Sequence, residues 1–295
     1  MLERLFPRPY RLARRDPAAP LRGWPKLAAE VAAHRLLVEP PPSAPVAEGE
    51  LAALPEAARA FMRFQGVRPG QPKRWALRAG WRGRFRMAPA RPWMPVEAVQ
   101  YDLRAPVARF FHMRATMSGV LPVLARDTYV GGLGRMVVRV ADLVTVIDGS
   151  GPEFDQGELV AWLNDCVLLA PSMLLGPNAR FTHVDARAFD VAVTDEGNTV
   201  TGRVLVDDRG APIDFETKDR WLSDPVDPRR LLRRRWSTPV ESWQTIDGRE
   251  VVARGSAVWH APAGDFRYAE LDLVPGTLAF DAMLDPGRAF HARAA

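Results

Sequence analysis

The sequence predicts an α+β fold: a curved antiparallel β-sheet with one apolar helix packed on its concave face. From Trp75 onward, apolar residues recur with a period near two along most of the chain. Short turns rich in glycine and aspartate separate many of these segments, and short connections favour antiparallel neighbours because parallel strands need long crossovers. The alternation is interrupted once, at about residues 156–175, by a segment that is apolar on nearly all sides.

The chain divides into three predicted parts. A helix is predicted from Trp24 to Val38, and the proline-rich run Glu39–Pro45 cannot continue it. A second short helix is predicted from Leu51 to Phe64. The parts are a helical extension with its linker, a sheet domain and a tail: 1–50, 51–282 and 283–295.

The strands follow from alternation and from the turns between them. In the segment Ala108–Met117, Phe111 and Met113 share a dry face, whereas Phe110 and His112 share a mixed one. The predicted strands are Trp75–Arg86, Val96–Leu103, Ala108–Met117, Val120–Val130, Gly134–Val140, Leu143–Asp148, Arg180–Val184, Ala186–Val193, Thr199–Val206, Ile213–Trp221, Val240–Ile246, Val251–His260 and Arg267–Val274.

The interrupting helix is predicted over Gln156–Leu175. Asp155 is its expected N-cap, Glu158 completes a capping box, and Pro171 breaks the helix near its end. Two interpretations stay open. The helix either plugs the concave face as core, or it is a lid over a ligand cavity. In the second case the ligand-binding residues are apolar: Phe111, Met113, Trp162, Leu163, Met173 and Leu174.

Composition excludes several classes of protein. The formal charge is +5, carried almost wholly by arginine, but no nucleic-acid-binding signature accompanies it, so no nucleic-acid partner is expected. The single cysteine, Cys166, rules out an internal disulfide. The five histidines lack metal-ligand spacing, and we expect neither a metal nor a cofactor. Without a signal-peptide pattern or a long apolar run, we expect a cytoplasmic protein, with attachment to the membrane surface left open.

One polar cluster is a weak catalytic candidate. His112, Asp127 and Tyr129 lie on predicted strands, and an imidazole, a carboxylate and a phenol in one cavity are suited to acid–base chemistry. The alternative is that Asp127 begins a turn towards the glycines that follow and that Tyr129 anchors the strand end.

The densest positive charge lies in the run from residue 229 to residue 236. It is interpreted either as a solvated excursion between strands or as a contact with anionic lipid headgroups. In the second case Leu231, Leu232 and Trp236 dip into the interface. The membrane-surface residues are then Arg229, Arg230, Arg233, Arg234 and Arg235.

Several short segments, in this order, resemble an uncharacterised family of bacterial proteins classed as a domain of unknown function. They are Leu54-Pro55, Gly83–Arg86, Phe110–Ala115, Asp127–Tyr129, Gly132–Met136, Gly157–Leu159, Ala170–Leu175, Thr238–Val240 and Phe266–Tyr268. The resemblance covers about Leu51 to Asp281 and implies no catalytic residue. The order of strands, apolar helix and further strands is also similar to the half-barrel of bacterial lipoprotein carriers. That similarity implies an open sheet around helices, with an apolar cavity between them.

Three functions are consistent with the sequence. The favoured one is a non-catalytic module that binds a lipid-like or other apolar ligand under the Gln156–Leu175 helix. The second is a cofactor-free enzyme that uses the His112, Asp127 and Tyr129 cluster. The third is an interaction protein recruited to a partner or to an anionic membrane surface through residues 1–50 or the arginine run.

Overall fold

The structure is a computed structural model that describes residues 21–36, 39–42, 44–224, 226–227 and 230–284. Its helices are α1 Trp24–His34, α2 Glu48–Ala52, α3 Glu56–Phe64 and α4 Pro152–Leu169, and the 3₁₀ turn Pro171–Leu174 follows α4. The strands are β1 Ala76–Phe85, β2 Met94–Arg104, β3 Val107–Met117, β4 Leu121–Val130, β5 Leu133–Val140, β6 Val144–Ser150, β7 Ala179–Asp185, β8 Ala188–Asp195, β9 Asn198–Val206, β10 Pro212–Ser223, β11 Leu231–Ser237, β12 Val240–Ile246, β13 Arg249–Ala261, β14 Gly264–Leu273 and β15 Ala279–Phe280.

These strands form one antiparallel sheet. The order across it is β6-β5-β4-β3-β2-β1-β14-β13-β11-β10-β9-β8-β7, with β12 paired to β13 and β15 to β1. The pairing of β1 with β14 joins a first wing, β1–β6, to a second wing, β7–β14. The predicted α+β class with an antiparallel sheet is confirmed, and each predicted strand has an observed counterpart.

The helix α4 connects the two edges of the sheet and contacts both of its wings. The helix leaves β6 at one edge of the sheet, and the chain re-enters at β7, the other edge. In a flat sheet these edges would be roughly 58 Å apart at about 4.8 Å between strands. The 18-residue helix spans about 27 Å of this distance, and residues 170–178 complete the connection. The sheet is not flat, because α4 contacts β3–β6 of the first wing and also β9, β10 and β13 of the second, so the two wings bend towards each other around it.

The two wings touch at one end of the sheet. The hydroxyl of Tyr129 on β4 donates a hydrogen bond to the Asp195 carboxylate on β8, at 2.9 Å. The side-chain amide of Asn198 donates to the carbonyl of Gly132, at 2.8 Å. Gly132 has a positive φ, and a Cβ there would lie 2.6 Å from the Cβ of Glu196. Only glycine fits this contact between the β4–β5 and β8–β9 turns.

The start of α4 differs from the prediction. The helix begins at Pro152, a residue suited to the first turn, and Asp155 lies within that turn. The Asp155 carboxylate accepts the backbone N–H of Gly134 on β5, at 2.7 Å, so it ties the helix to the sheet and does not cap it. A Cβ at Gly134 would lie 2.1 Å from the carbonyl oxygen of Phe154. The predicted capping box is also wrong, because Glu158 is buried and paired with a strand residue, Arg109.

A second layer of core covers the convex face of the first wing. Trp24 and Leu27 of α1 pack with Tyr101 of β2 and Phe110 of β3. The helix ends at His34, where Arg35 adopts a left-handed conformation, and the last two residues of its predicted span, 37–38, lie outside the described residues. Residues 1–20 and 285–295 of the predicted extension and tail also lie outside them.

Two further expectations are corrected. The predicted helix over Leu51–Phe64 is two helices, α2 and α3, because Pro55 lacks a backbone donor and restricts the residue before it. The strand β11 was not predicted, since its charged residues were interpreted as a loop. Within the described part of the chain, no helix has both the length and the apolar character needed to cross a membrane.

Trp162 provides a test of the helix as core. Its side chain is fully buried in α4, and its indole N–H donates to the carbonyl of Leu103 at 2.8 Å. We expect Trp162→Ala to lower the free energy of unfolding by about 3–5 kcal/mol, measured by urea denaturation. Leu143→Ala, at an exposed position between β5 and β6, is the control and should change it by less than about 0.5 kcal/mol. A loss below about 1 kcal/mol for the tryptophan variant would contradict this packing.

Candidate functional site

A cavity lies between α4 and the inner surface of the curled sheet. Its volume is about 450 Å³, within the usual range for small-molecule sites. Most of its wall is apolar and comes from both wings. Representative lining residues are Phe111, Met113, Met136, Trp236 and Leu271. The curl of the sheet therefore leaves space that α4 does not fill.

The helix turns its most polar face towards this cavity. Glu153, Gly157, Glu158, Ala161, Asn164 and Asp165 line it, with Phe154 and Leu168 at the same helical spacing. The sequence marks Glu158, Ala161 and Asp165 as a polar edge of an otherwise apolar helix, and this edge faces the cavity.

The predicted ligand-binding residues divide into two groups. Phe111 and Met113 line the cavity, as the alternation of their strand places them on its inner face. The other four belong to the surrounding core, where none of them is more than 1% exposed. They are Trp162, Leu163, Met173 and Leu174. The helix is therefore a core plug along its apolar sides and a cavity wall along its polar side.

A buried ion-pair network forms one part of the wall. The guanidinium of Arg109 on β3 donates to Glu158, at 3.0 Å, and to Asp165, at 2.7 Å. These two carboxylates are seven residues apart on α4, so they share one helix face two turns apart. The network ties the helix to the first wing. Removing one partner of such a group leaves an uncompensated buried charge, at a cost of about 3–5 kcal/mol.

Two more charged side chains complete this patch. Asp127 on β4 has a buried Oδ1 atom with no hydrogen-bond partner among the described residues. Arg220 on β10 stacks its guanidinium 4.4 Å from the ring centroid of Trp236. We call the set the polar floor of the cavity: Arg109, Asp127, Glu158, Asp165 and Arg220.

Burial makes the carboxyl groups of the polar floor harder to ionise. It raises the pKa of Glu158 to about 7, and the nearby Asp127 charge adds to the effect. Burial also raises the pKa of Asp127 and of Asp165, although Arg109 opposes both shifts. For Arg109, burial disfavours the charge, but Asp165 and Glu158 outweigh it and raise its pKa. One carboxyl group of the floor can therefore exchange a proton near neutral pH.

The structure does not assemble the predicted His112, Asp127 and Tyr129 cluster. Asp127 faces the cavity between its register partners Phe111 and Met136. His112 pairs in register with Arg126 and lies on the opposite face of the sheet, where its Nε2 is 2.5 Å from Glu30 of α1. One sheet separates the imidazole from the carboxylate, so the three side chains cannot act together. Tyr129 holds the two wings together, which agrees with the alternative of a strand-end anchor.

The arginine run is mostly a strand inside the sheet. Residues 231–237 form β11, between β10 and β13. Arg233 forms an ion pair with Asp219, and Arg235 pairs with Glu216 at 2.9 Å. Arg234 donates to a backbone carbonyl, Arg230 is exposed, and Arg229 lies outside the described residues.

The apolar members of that run also differ from the prediction. Trp236 is 3% exposed and lines the cavity, so it is not available to enter a lipid interface. Leu231 lines the cavity as well. Alternation alone does not explain this arrangement, because Leu231 and Trp236 are five residues apart and would lie on opposite faces of a regular strand.

The polar floor was largely missed from the sequence. Strand alternation places Arg109 on the same face as Phe111 and Met113, and this spacing could have predicted its position in the cavity. The spacing of Glu158 and Asp165 could likewise have predicted theirs. No sequence pattern predicted the position of Arg220, because β10 carries a register shift between Thr217 and Arg220 that changes which residues face inwards. Among the described residues, no group of three His, Cys, Asp or Glu side chains is placed to hold a metal ion.

The raised pKa of Glu158 predicts a pH-dependent stability. The folded protein holds this proton between its ordinary value of 4.5 and about 7, whereas the unfolded chain releases it. The contribution to stability is complete below pH 4.5 and is lost as the pH rises towards 7. We expect Glu158→Gln to flatten the fall in free energy of unfolding over this range, measured by urea denaturation at several pH values. Glu56→Gln, at an exposed helix start, should leave the fall unchanged.

Three solved structures are similar to the chain. A proposed outer membrane lipoprotein-sorting protein domain from Vibrio parahaemolyticus is 12% identical over 78% of this chain and 93% of its own, with a TM-score of 0.40. A DUF1329 family protein from Desulfovibrio piger is 11% identical over 82% and 96%, with a TM-score of 0.40. A LolA superfamily protein from Nitrosomonas europaea is 11% identical over 74% and 91%, with a TM-score of 0.30.

Among curated proteins, none matches the chain at a significant level. One family does match, over the whole first wing and most of the second. Residues 44–271 fit its sequence model, which covers α2, α3, α4 and all but the last strands. The expected membership of a family without an assigned activity is therefore confirmed: the chain belongs to the family of unknown function DUF6544.

Proposed function

We propose that this protein binds an apolar, lipid-like ligand in the cavity between α4 and the curled sheet, without chemical conversion of that ligand. The observation that carries the proposal is the cavity itself: about 450 Å³ of space within the fold, with a mostly apolar wall. The apolar wall of the cavity is not packed against other side chains, so it contributes to stability only when a ligand covers it. A ligand with an apolar body supplies that cover.

The composition of the wall favours a flexible apolar ligand over a rigid one. Four methionines line the cavity, Met87, Met94, Met113 and Met136, and unbranched thioether side chains adapt to irregular shapes. Aromatic rings from both wings supply large, rigid contact areas. The volume fits a single-chain or drug-sized molecule.

Gly157 gives a direct test of occupancy. It lies in α4 and lines the cavity, and a Cβ added there meets no atom within 4 Å. We expect Gly157→Leu to fill part of the cavity and abolish ligand binding without loss of stability, since leucine also favours a helix by about 1 kcal/mol over glycine. The measurement is native mass spectrometry with solvent extraction of the purified protein.

The matched control is Gly49→Leu. Gly49 is also a helical glycine with no atom within 4 Å of an added Cβ, but it lies in α2 and does not line the cavity. This variant should carry the same molecule as the wild type. A wild-type protein that is empty, and that also leaves the fluorescence of a neutral naphthyl probe unchanged, would refute the proposed function.

A further inference from the structure

The polar floor holds more acidic groups than basic ones. Asp127, Glu158 and Asp165 line the cavity with only Arg109 and Arg220 to balance them. A fourth carboxylate, Asp102, is fully buried beside them and is the register partner of Arg109. With every group ionised, the floor lacks positive charge, and a buried excess of negative charge is strongly disfavoured.

Most of the floor is already paired within the protein. Arg109 contacts Glu158 and Asp165 at 3.0 and 2.7 Å, so its guanidinium is committed to α4. The Oδ2 atom of Asp102 accepts from the amide of Gln100 at 2.7 Å. Arg220 is stacked on Trp236, and it lies close enough to lower the pKa of several carboxyl groups of the floor.

Asp102 and Asp127 each have a buried Oδ1 atom with no hydrogen-bond partner among the described residues. Of the two, Asp127 is the one that lines the cavity. The strand register directs the side chain into the cavity, because both of its register partners, Phe111 and Met136, belong to the apolar wall. A buried acceptor without a donor costs about 1–3 kcal/mol. The carboxylate therefore stands where the apolar wall meets the polar floor, open to a donor from the ligand.

We propose that the ligand carries a protonated amine at its polar end and that this ammonium group donates to Asp127. The inference rests on the proposed function, since it assigns the head group of the ligand for the same cavity. An ammonium group offers three donors and a positive charge, which would balance part of the negative charge that the floor carries when its carboxyl groups are ionised. A carboxylate or phosphate head group would add negative charge beside Glu158 and Asp127. A hydroxyl supplies a donor but no charge, so an alcohol binds less tightly than an amine.

The test compares probes that differ only in the head group. Dodecylamine, dodecanol and dodecanoate are titrated into the full chain by isothermal calorimetry, each below its aggregation limit. We expect the amine to bind at least about tenfold more tightly than the alcohol and the acid, the usual effect of one hydrogen bond to a charged group. Equal affinity for the three probes, or a preference for dodecanoate, would overturn the head-group assignment.

Variants then locate the interaction. Asp127→Asn keeps the shape of the side chain and removes its charge, and it should abolish the preference for the amine while dodecanol binds as before. Asp190→Asn is the control, because Asp190 is paired with Arg203 at 2.8 Å and does not line the cavity. An amine preference that persists in Asp127→Asn, with a normal circular dichroism spectrum, would rule out Asp127 as the acceptor.

The same titrations separate the two proposals. If no probe binds to the wild type, the proposed apolar-ligand function fails together with the head group. If the probes bind to the wild type, and Gly157→Leu blocks them, the function stands and the order of affinities alone decides the head group. The comparison of probes on the wild type requires no variant to fold.

Discussion

The architecture depends on one connection, the passage of α4 from one edge of the sheet to the other. This helix contacts strands of both wings, so the sheet curls around it. The curl gives the sheet an inner surface, and the helix is too narrow to fill the enclosed space. The cavity is thus a geometric consequence of chain order, with Tyr129 and Asp195 holding the wings at one end.

Within that space, the helix is polar where it faces the cavity and apolar where it packs against the core. A ligand-free plug would be expected to be apolar on every side, because a buried ion-pair network contributes little net stability compared with well-packed hydrophobic residues. Glu158 and Asp165 instead reach Arg109 across the cavity wall. The proposals for the ligand and for its head group both start from this retained charge and from the apolar wall beside it.

Much of the fold could be predicted from the sequence, because the pattern of burial repeats locally. Alternation identified strands on both sides of α4, and the glycines at 131 and 132 marked a real turn. Strand β11 could not be predicted from alternation, because three consecutive arginines, Arg233–Arg235, fall on both of its faces. The split between α2 and α3 depends on a single proline, Pro55, which the apolar pattern of the segment does not reveal.

The site was harder to predict, since it depends on register between distant strands. Alternation within β3 is enough to place Phe111 and His112 on opposite faces of the sheet. Only the pairing of β3 with β4 shows that Asp127 lies on the same face as Phe111. The side of the helix that faces the cavity was predicted wrongly for a different reason. The apolar stripe of the helix predicts the ligand side, but that stripe is buried in the core and the few polar residues face the cavity.

The joint between the wings has a consequence for how the chain acquires its structure. Trp81 on β1 pairs with Leu273 on β14, so the strand that opens the first wing can complete its pairing only after β14 has been synthesised. During translation, β1–β6 can assemble as successive hairpins, yet the outer edge of β1 stays unpaired for about 190 further residues. Such long-range pairing slows folding and exposes a strand edge to other chains. The chain is therefore open to aggregation through this edge until β14 closes the sheet.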